Sequence, residues 1–132
     1  MDTLHNVCVL EHMSREDETN GCDYTKIQKK SCKFVFLESE FIVHRNGSIK
    51  RKMKSGKWKE IKNNVNHNRG YNVIMINKKQ FTRSQIIAHV FMGYNMLDKD
   101  NNKKKMIINK DKNKLNCCVS NLMITNKNHY LL

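Results

Sequence analysis

Ser84-Gln-Ile-Ile-Ala-His-Val-Phe91, Ile107-Ile-Asn-Lys-Asp-Lys-Asn-Lys-Leu-Asn116 and Val119-Ser-Asn-Leu122 are the segments whose reading decides the fold of this chain. In the first, Ile86, Ile87, Val90 and Phe91 recur at the spacing of one helix face. Ser84 stands where an N-cap would accept a backbone N–H, and Gly93 stands where a helix would stop. The stretch Leu97 to Lys105 is too polar to bury and reads as a loop. Met106 to Ile108 then makes a short strand, Asp111 to Lys114 a turn, and Ser120 to Ile124 the returning strand. Asn126 to Leu132 begins a second helix, which predicts a ββα unit at the C-terminal end.

Upstream, Phe34-Val-Phe-Leu37 and Phe41-Ile-Val43 are β-prone, and Asn46-Gly47 supplies the positive φ of a hairpin turn before Ile49 starts a return strand. A second turn falls at Ser55-Gly-Lys57, from which Trp58 to Ile61 pairs back. Gly70 to Ile76 forms another strand, with Asn77-Lys-Lys79 as its turn and Gln80 to Arg83 as its partner. The expected class is α+β: a small antiparallel, hairpin-rich sheet, a central helix and the ββα core. Residues 1–33 show little periodicity and are set apart as an acidic leader of no assigned role, with residues 34–132 as the domain. Trp58 is expected in the core.

The charge is unevenly spread. Residues 1–40 carry five basic and eight acidic side chains, whereas residues 41–132 carry twenty and four, for a net charge of +13 over the chain. A basic body behind an acidic segment suggests a polyanion partner, with the leader as a candidate surface for a protein partner. An AT-rich genome would also enrich Lys and Asn, but it does not explain the depletion of acids after residue 40. No apolar run approaches the roughly 20 residues of a membrane span, so no membrane partner is expected. The start of the chain lacks a signal-peptide pattern, and five cysteines without a Cys-x-x-Cys pair argue for reduced thiols in an intracellular compartment. That spacing also fails to support a zinc site.

Phe41-Ile-Val-His-Arg-Asn-Gly-Ser-Ile-Lys-Arg51 resembles the nuclease-associated modular motif of homing endonucleases, which reads Tyr-Glu-Val-Ser-Asn-x-Gly-Arg-Val-Arg-Ser. The Ser84–Phe91 helix, Asn113-Lys-Leu-Asn116 and Asn121-Leu122 resemble the HNH (His-Me finger) core of such enzymes from phages and large DNA viruses. The resemblance spans about residues 34–130. It implies double-stranded DNA as partner and a viral setting, in the host cell or the virion. It also implies a metal-dependent nicking chemistry, in which a His acts as general base and one divalent cation stabilises the transition-state charge.

The family's reactive positions are where this chain departs. Its catalytic His falls on Asn109, whose amide is no base near neutral pH, and the ligand position before it falls on Ile108, which has no oxygen to offer. Asn113, Asn116 and Asn121 retain the loop amides, and Asp111 the loop acid; Asp111 and His129 are the surrogates available for catalysis or metal binding. His89, on the helix, reads as a structural residue. The resemblance therefore implies a nuclease-derived DNA-binding protein with nicking lost. It needs no cofactor, or Mg²⁺ or another divalent cation if it still cuts. Two rivals remain: an active endonuclease using displaced residues, and a structural or assembly protein using the fold for nucleic-acid or protein contacts. The candidate DNA contacts are Arg45, Lys50, Arg51, Lys52, Lys54, Lys57, Lys59, Arg69, Lys78, Lys79 and Arg83; Lys50 to Lys59 alone hold six charges and one aromatic. The recognised DNA sequence and the oligomeric state are not legible.

Overall fold

The computed structural model describes residues 6–8, 30–36 and 38–127. The architecture is α+β, with antiparallel pairing throughout the described strands. Strands β1 (Asn6–Cys8), β2 (Ser31–Phe36), β3 (Ser39–His44), β4 (Ile49–Lys52) and β5 (Trp58–Glu60) form one sheet in sequential order. Strands β6 (Val73–Ile76) and β7 (Lys79–Thr82) form a separate hairpin, as do β8 (Lys105–Asn109) and β9 (Leu122–Asn126). The expected single sheet is thus one meander and two detached hairpins. The expected boundary at residue 34 falls inside β2, which begins at Ser31 and takes β1 from the supposed leader as its outer neighbour.

Alternation sorts the meander into two faces. Cys32, Phe34, Phe36, Phe41, Val43 and Ile49 point inward and are buried. Against them packs helix α1 (Arg83–Phe91), whose Ile86, Ile87 and Ala88 are fully buried and whose His89 is nearly so. A helix hydrophobic almost all round is a central one, and α1 lies among β3, β7, β8 and the 3₁₀ turn Val119–Asn121. Its N-cap is Thr82 rather than Ser84: Thr82 Oγ1 accepts from Gln85 N at 3.1 Å and Gln85 Oε1 accepts from Thr82 N at 2.9 Å. Gly93, at φ +74, follows the helix. The expected loop 97–105 contains helix α2 (Lys99–Lys104), a polar single-layer helix leading directly into β8.

The turn between β3 and β4 is a structural junction. Asn46 Oδ1 accepts from Ser48 N at 2.9 Å, and Gly47 adopts φ +99, so the positive φ rests on the glycine. A Cβ there would lie 3.0 Å from the Cys117 carbonyl carbon, so the glycine is required by contact as well as by conformation. Arg83 completes the junction from below. It is 1% exposed, donating through Nε to Asn72 Oδ1 at 2.9 Å and through its two terminal nitrogens to the Gly47 and Ile61 carbonyls, each at 2.8 Å. Arg83 was expected at the DNA surface. Its guanidinium is instead an internal tie, because acceptors from three segments, two of them buried and the Ile61 carbonyl partly so, converge on its planar fork.

Arg83→Met should therefore lower unfolding free energy by about 3–5 kcal/mol, since two buried acceptors and one partly buried one would lose their donor. Arg83→Lys should recover only part of this, because an ammonium cannot serve three diverging acceptors. Urea unfolding followed by circular dichroism checks it; a melt unchanged in Arg83→Met would return this residue to the surface.

Candidate nucleic-acid interface and the β8–β9 hairpin

The β4–β5 hairpin leaves the body of the protein: residues 52–60 are all exposed. Its turn is held by Met53 N donating to the Lys57 carbonyl at 2.7 Å and Gly56 N to the Met53 carbonyl at 2.8 Å. Lys50 and Lys52 share the outer face of the sheet with Trp58 and Glu60, while Arg51 and Lys59 share the other. Lys54 and Lys57 sit in the turn. Trp58, expected in the core, is 37% exposed, because its strand is the sheet's edge and it points away from the packed face.

The expected basic residues are not equivalent. The Arg51 guanidinium lies 4.8 Å over the Phe41 ring and donates to the Met75 carbonyl, docking the β6–β7 hairpin beside the meander. Arg45 lies 5.1 Å over Phe91 and is half-buried. These two carry charge to the surface while serving the fold. Lys54, Lys57, Lys59, Arg69, Lys78 and Lys79 are exposed, and Lys78 sits at φ +68 in the tight β6–β7 turn. Lys52 lies 3.8 Å from Glu40, which also holds Lys33 at 2.9 Å.

Two further hollows run along β8, of about 390 Å³ and 200 Å³, sharing Tyr71, Met106 and Ile107. Arg69, Lys105 and Lys127 line the first and Lys112 and Lys114 the second, with no carboxylate in either wall. Lys112, Lys114, Lys127 and Tyr71 were not singled out from sequence. The signal was a Lys at every second position of 110–114, read there only as a turn.

At the far end of β8, Asn109 is 8% exposed and its amide donates to the Asn116 carbonyl at 3.0 Å. Ile108 beside it is half-buried hydrocarbon. Asp111 accepts from Asn113 N at 2.8 Å and Asn121 Nδ2 at 3.0 Å on one oxygen, and from Asn116 Nδ2 at 2.7 Å on the other. Those bonds, Asn116 first, hold its carboxyl below the usual carboxylate range. Asn121 also donates to the Asn116 carbonyl at 2.8 Å. The loop amides and acid expected at this site thus come together, but they are turned on one another. The donor set is a poor one for a divalent cation: Ile108 has no ligand atom, the Asn109 side chain is buried with its nitrogen bound to the Asn116 carbonyl, and both Asp111 oxygens already accept hydrogen bonds from the loop. No group of three His, Cys, Asp or Glu side chains suited to a metal occurs among the described residues. His129 lies outside the described residues.

His89 is buried against Phe34, ring centroids 5.4 Å apart, with Nδ1 accepting from Met96 N at 3.1 Å. It is far from a catalytic role and fits the structural reading. Burial pushes its pKa below 6.5, opposed by a hydrogen bond to the Tyr94 backbone. His44 is lowered too, by burial and then by Lys50.

Among solved structures, the chain is similar to the HNH homing endonuclease I-HmuI, in a structure describing DNA binding and cleavage by that enzyme. The identity is 23% and the TM-score 0.49, covering 69% of this chain and 49% of that one. The chain thus spans about half the length of that protein. No family model matches the chain, and no curated protein does.

The two histidines set a pH dependence. Their pKa values are depressed on folding, so the unfolded chain binds more protons just below its ordinary value of 6.5. Stability should be full above pH 6.5 and fall as pH drops through the folded values. His89→Gln, which keeps an acceptor for Met96 N, should flatten the fall between pH 7 and 5 at a lower baseline. Urea midpoints across that range test it; a slope unchanged by His89→Gln would mean that His89 titrates alike in both states.

Proposed function

We propose that this chain is a DNA-binding domain on an HNH-like scaffold that holds duplex DNA and does not cut it. The observation that carries this reading is the state of the β8–β9 hairpin: its loop amides and acid are hydrogen-bonded to one another around a strand end that offers only Ile108 and a buried Asn109, whose amide nitrogen donates to the Asn116 carbonyl. The resemblance puts the general base and a metal ligand at those two positions. An amide donating to a backbone carbonyl takes no proton from water, and hydrocarbon holds no cation.

The surface around it supports binding. The exposed lysines of β4–β5 and β6–β7 present cations on two hairpins that Arg51 docks side by side. Lysine ammonium groups on ribbons suit phosphate contact, which positions a duplex without reading it. The thiols Cys117 and Cys118, not joined in disulfides, suit an intracellular setting.

Binding to a duplex should weaken steeply with salt through counterion release, with a log–log slope of roughly −4 to −5 for about four to six phosphate contacts. Replacing Lys50, Lys52, Lys54 and Lys57 by Ala should reduce that slope and cost more affinity than replacing Lys103, Lys104 and Lys105, which sit at the end of α2 and the start of β8. Arg51 is left in place because it anchors Met75. A salt-independent affinity, or equal losses from the two sets in gel-shift titrations, would remove the located surface.

Supercoiled plasmid incubated with saturating protein and either Mg²⁺ or Mn²⁺ should stay supercoiled. Nicking that a chelator abolishes would make the chain an active endonuclease and overturn the non-cutting half of the reading, leaving DNA binding intact.

A further inference from the structure

Trp58 is the chain's one tryptophan, and it is on the surface. It sits on the edge strand β5, at the base of a hairpin exposed from residue 52 to residue 60. Across the sheet its neighbour is Lys52, whose ammonium lies 6.0 Å over the indole ring. Beyond Lys52 comes Glu40, which bridges Lys52 and Lys33. Met53, 41% exposed, opens the turn beside it. An exposed indole and an exposed thioether at the end of a lysine hairpin serve no fold purpose that the packing reveals, since the sheet's buried face is complete without them.

Phosphate contact alone would not use such a plane. Lys50 and Lys52 lie two residues apart on the Trp58 face, about 6.6 Å along the strand, a spacing comparable to successive phosphates of an extended single strand. Lys54 and Lys57 continue the positive charge around the turn. Cations flanking an open aromatic ring are the arrangement on which unpaired bases stack. A base within an intact duplex offers no free face to an edge-strand indole.

We propose that the outer face of the β4–β5 hairpin binds a DNA strand carrying an unpaired base, with Trp58 stacking on that base and Lys50, Lys52, Lys54 and Lys57 holding the flanking phosphates. This rests on the reading of the hairpin as a DNA surface and deepens it: the preferred partner is DNA with a locally opened or single strand. Lys52 restricts the indole from one side and leaves the base to approach from the other.

Because Trp58 is the only tryptophan, its emission reports the contact directly. The probes are an oligothymidine, a duplex with a thymine bulge, and the same duplex fully paired. Emission should be quenched by the first two and little changed by the third. Trp58→Ala should weaken binding to the two unpaired probes roughly 5- to 150-fold, the range of one base stack, while leaving the salt slope as it was. Trp58→Phe should retain most of the preference, since it keeps an aromatic plane. Equal quenching by all three probes, or unchanged affinity of Trp58→Ala for the oligothymidine and the bulge, overturns the stacking role. If the paired duplex still binds in those cases, the DNA-binding reading survives; if no probe binds, both fall.

Discussion

The buried guanidinium of Arg83 is the constraint on which the rest of this structure depends. It opens α1 and at the same time gathers the β3–β4 turn, the exit of β5 and the start of the β6–β7 hairpin through Gly47, Ile61 and Asn72. Each of those acceptors belongs to a segment that would otherwise need water. Gly47 is the tightest of the three joints, since its far side touches the Cys117 backbone, while the neighbouring Arg45 carbonyl accepts from Val119 N at 2.9 Å. The meander, the helix and the loop of the β8–β9 hairpin therefore meet around one charge. Burying it is tolerable because each of its three nitrogens donates to an acceptor.

A second set of ties comes from asparagine. Asn63 Nδ2 donates to the Leu115 carbonyl at 2.7 Å, Asn66 pairs both ways with Val73, Asn72 donates to the Asn64 carbonyl at 2.7 Å and Asn102 to the Met96 carbonyl. Asn109, Asn116 and Asn121 do the same within the β8–β9 loop. The amide, with a donor and an acceptor on one short arm, closes long loops that have few apolar residues to pack. Asparagine abundance is thus more than a genome bias here; many of these side chains hold the loops on which the basic residues ride.

The hairpins were legible because their signals are local. The β-prone runs Phe34–Leu37 and Phe41–Val43, the Asn46-Gly47 turn and the Ile86–Phe91 stripe are contained within a few residues and survive without knowledge of the partner. What was not legible depended on contacts far along the chain. Arg83 looks like any basic residue before a helix until Gly47, 36 residues away, is placed against it. Trp58 looks like core until β5 proves to be an edge strand. Thr82 displaced Ser84 as cap because β7 ends one step earlier than its pattern suggests. The polar 99–104 stretch became helix because it has only to reach β8 without burying anything. At the candidate site, the presence of Ile108 and Asn109 at the end of β8 was readable residue by residue. The closure of Asp111 onto Asn113, Asn116 and Asn121 was not.

The division of labour among the cations bears on what the surface can recognise. Arg45, Arg51 and Arg83 all spend their guanidinium groups on Phe91, on Phe41 and Met75, and on buried carbonyls. The bidentate fork that reads guanine in a groove is therefore largely turned inward, and lysine is left to face the solvent. Lysine is a hydrated point charge that follows phosphate and is indifferent to base identity. On the proposed reading, a surface built this way holds DNA by its backbone. Any discrimination it achieves has to come from the shape or openness of the strand, and the exposed aromatic plane of Trp58 beside that lysine row is a group able to sense it.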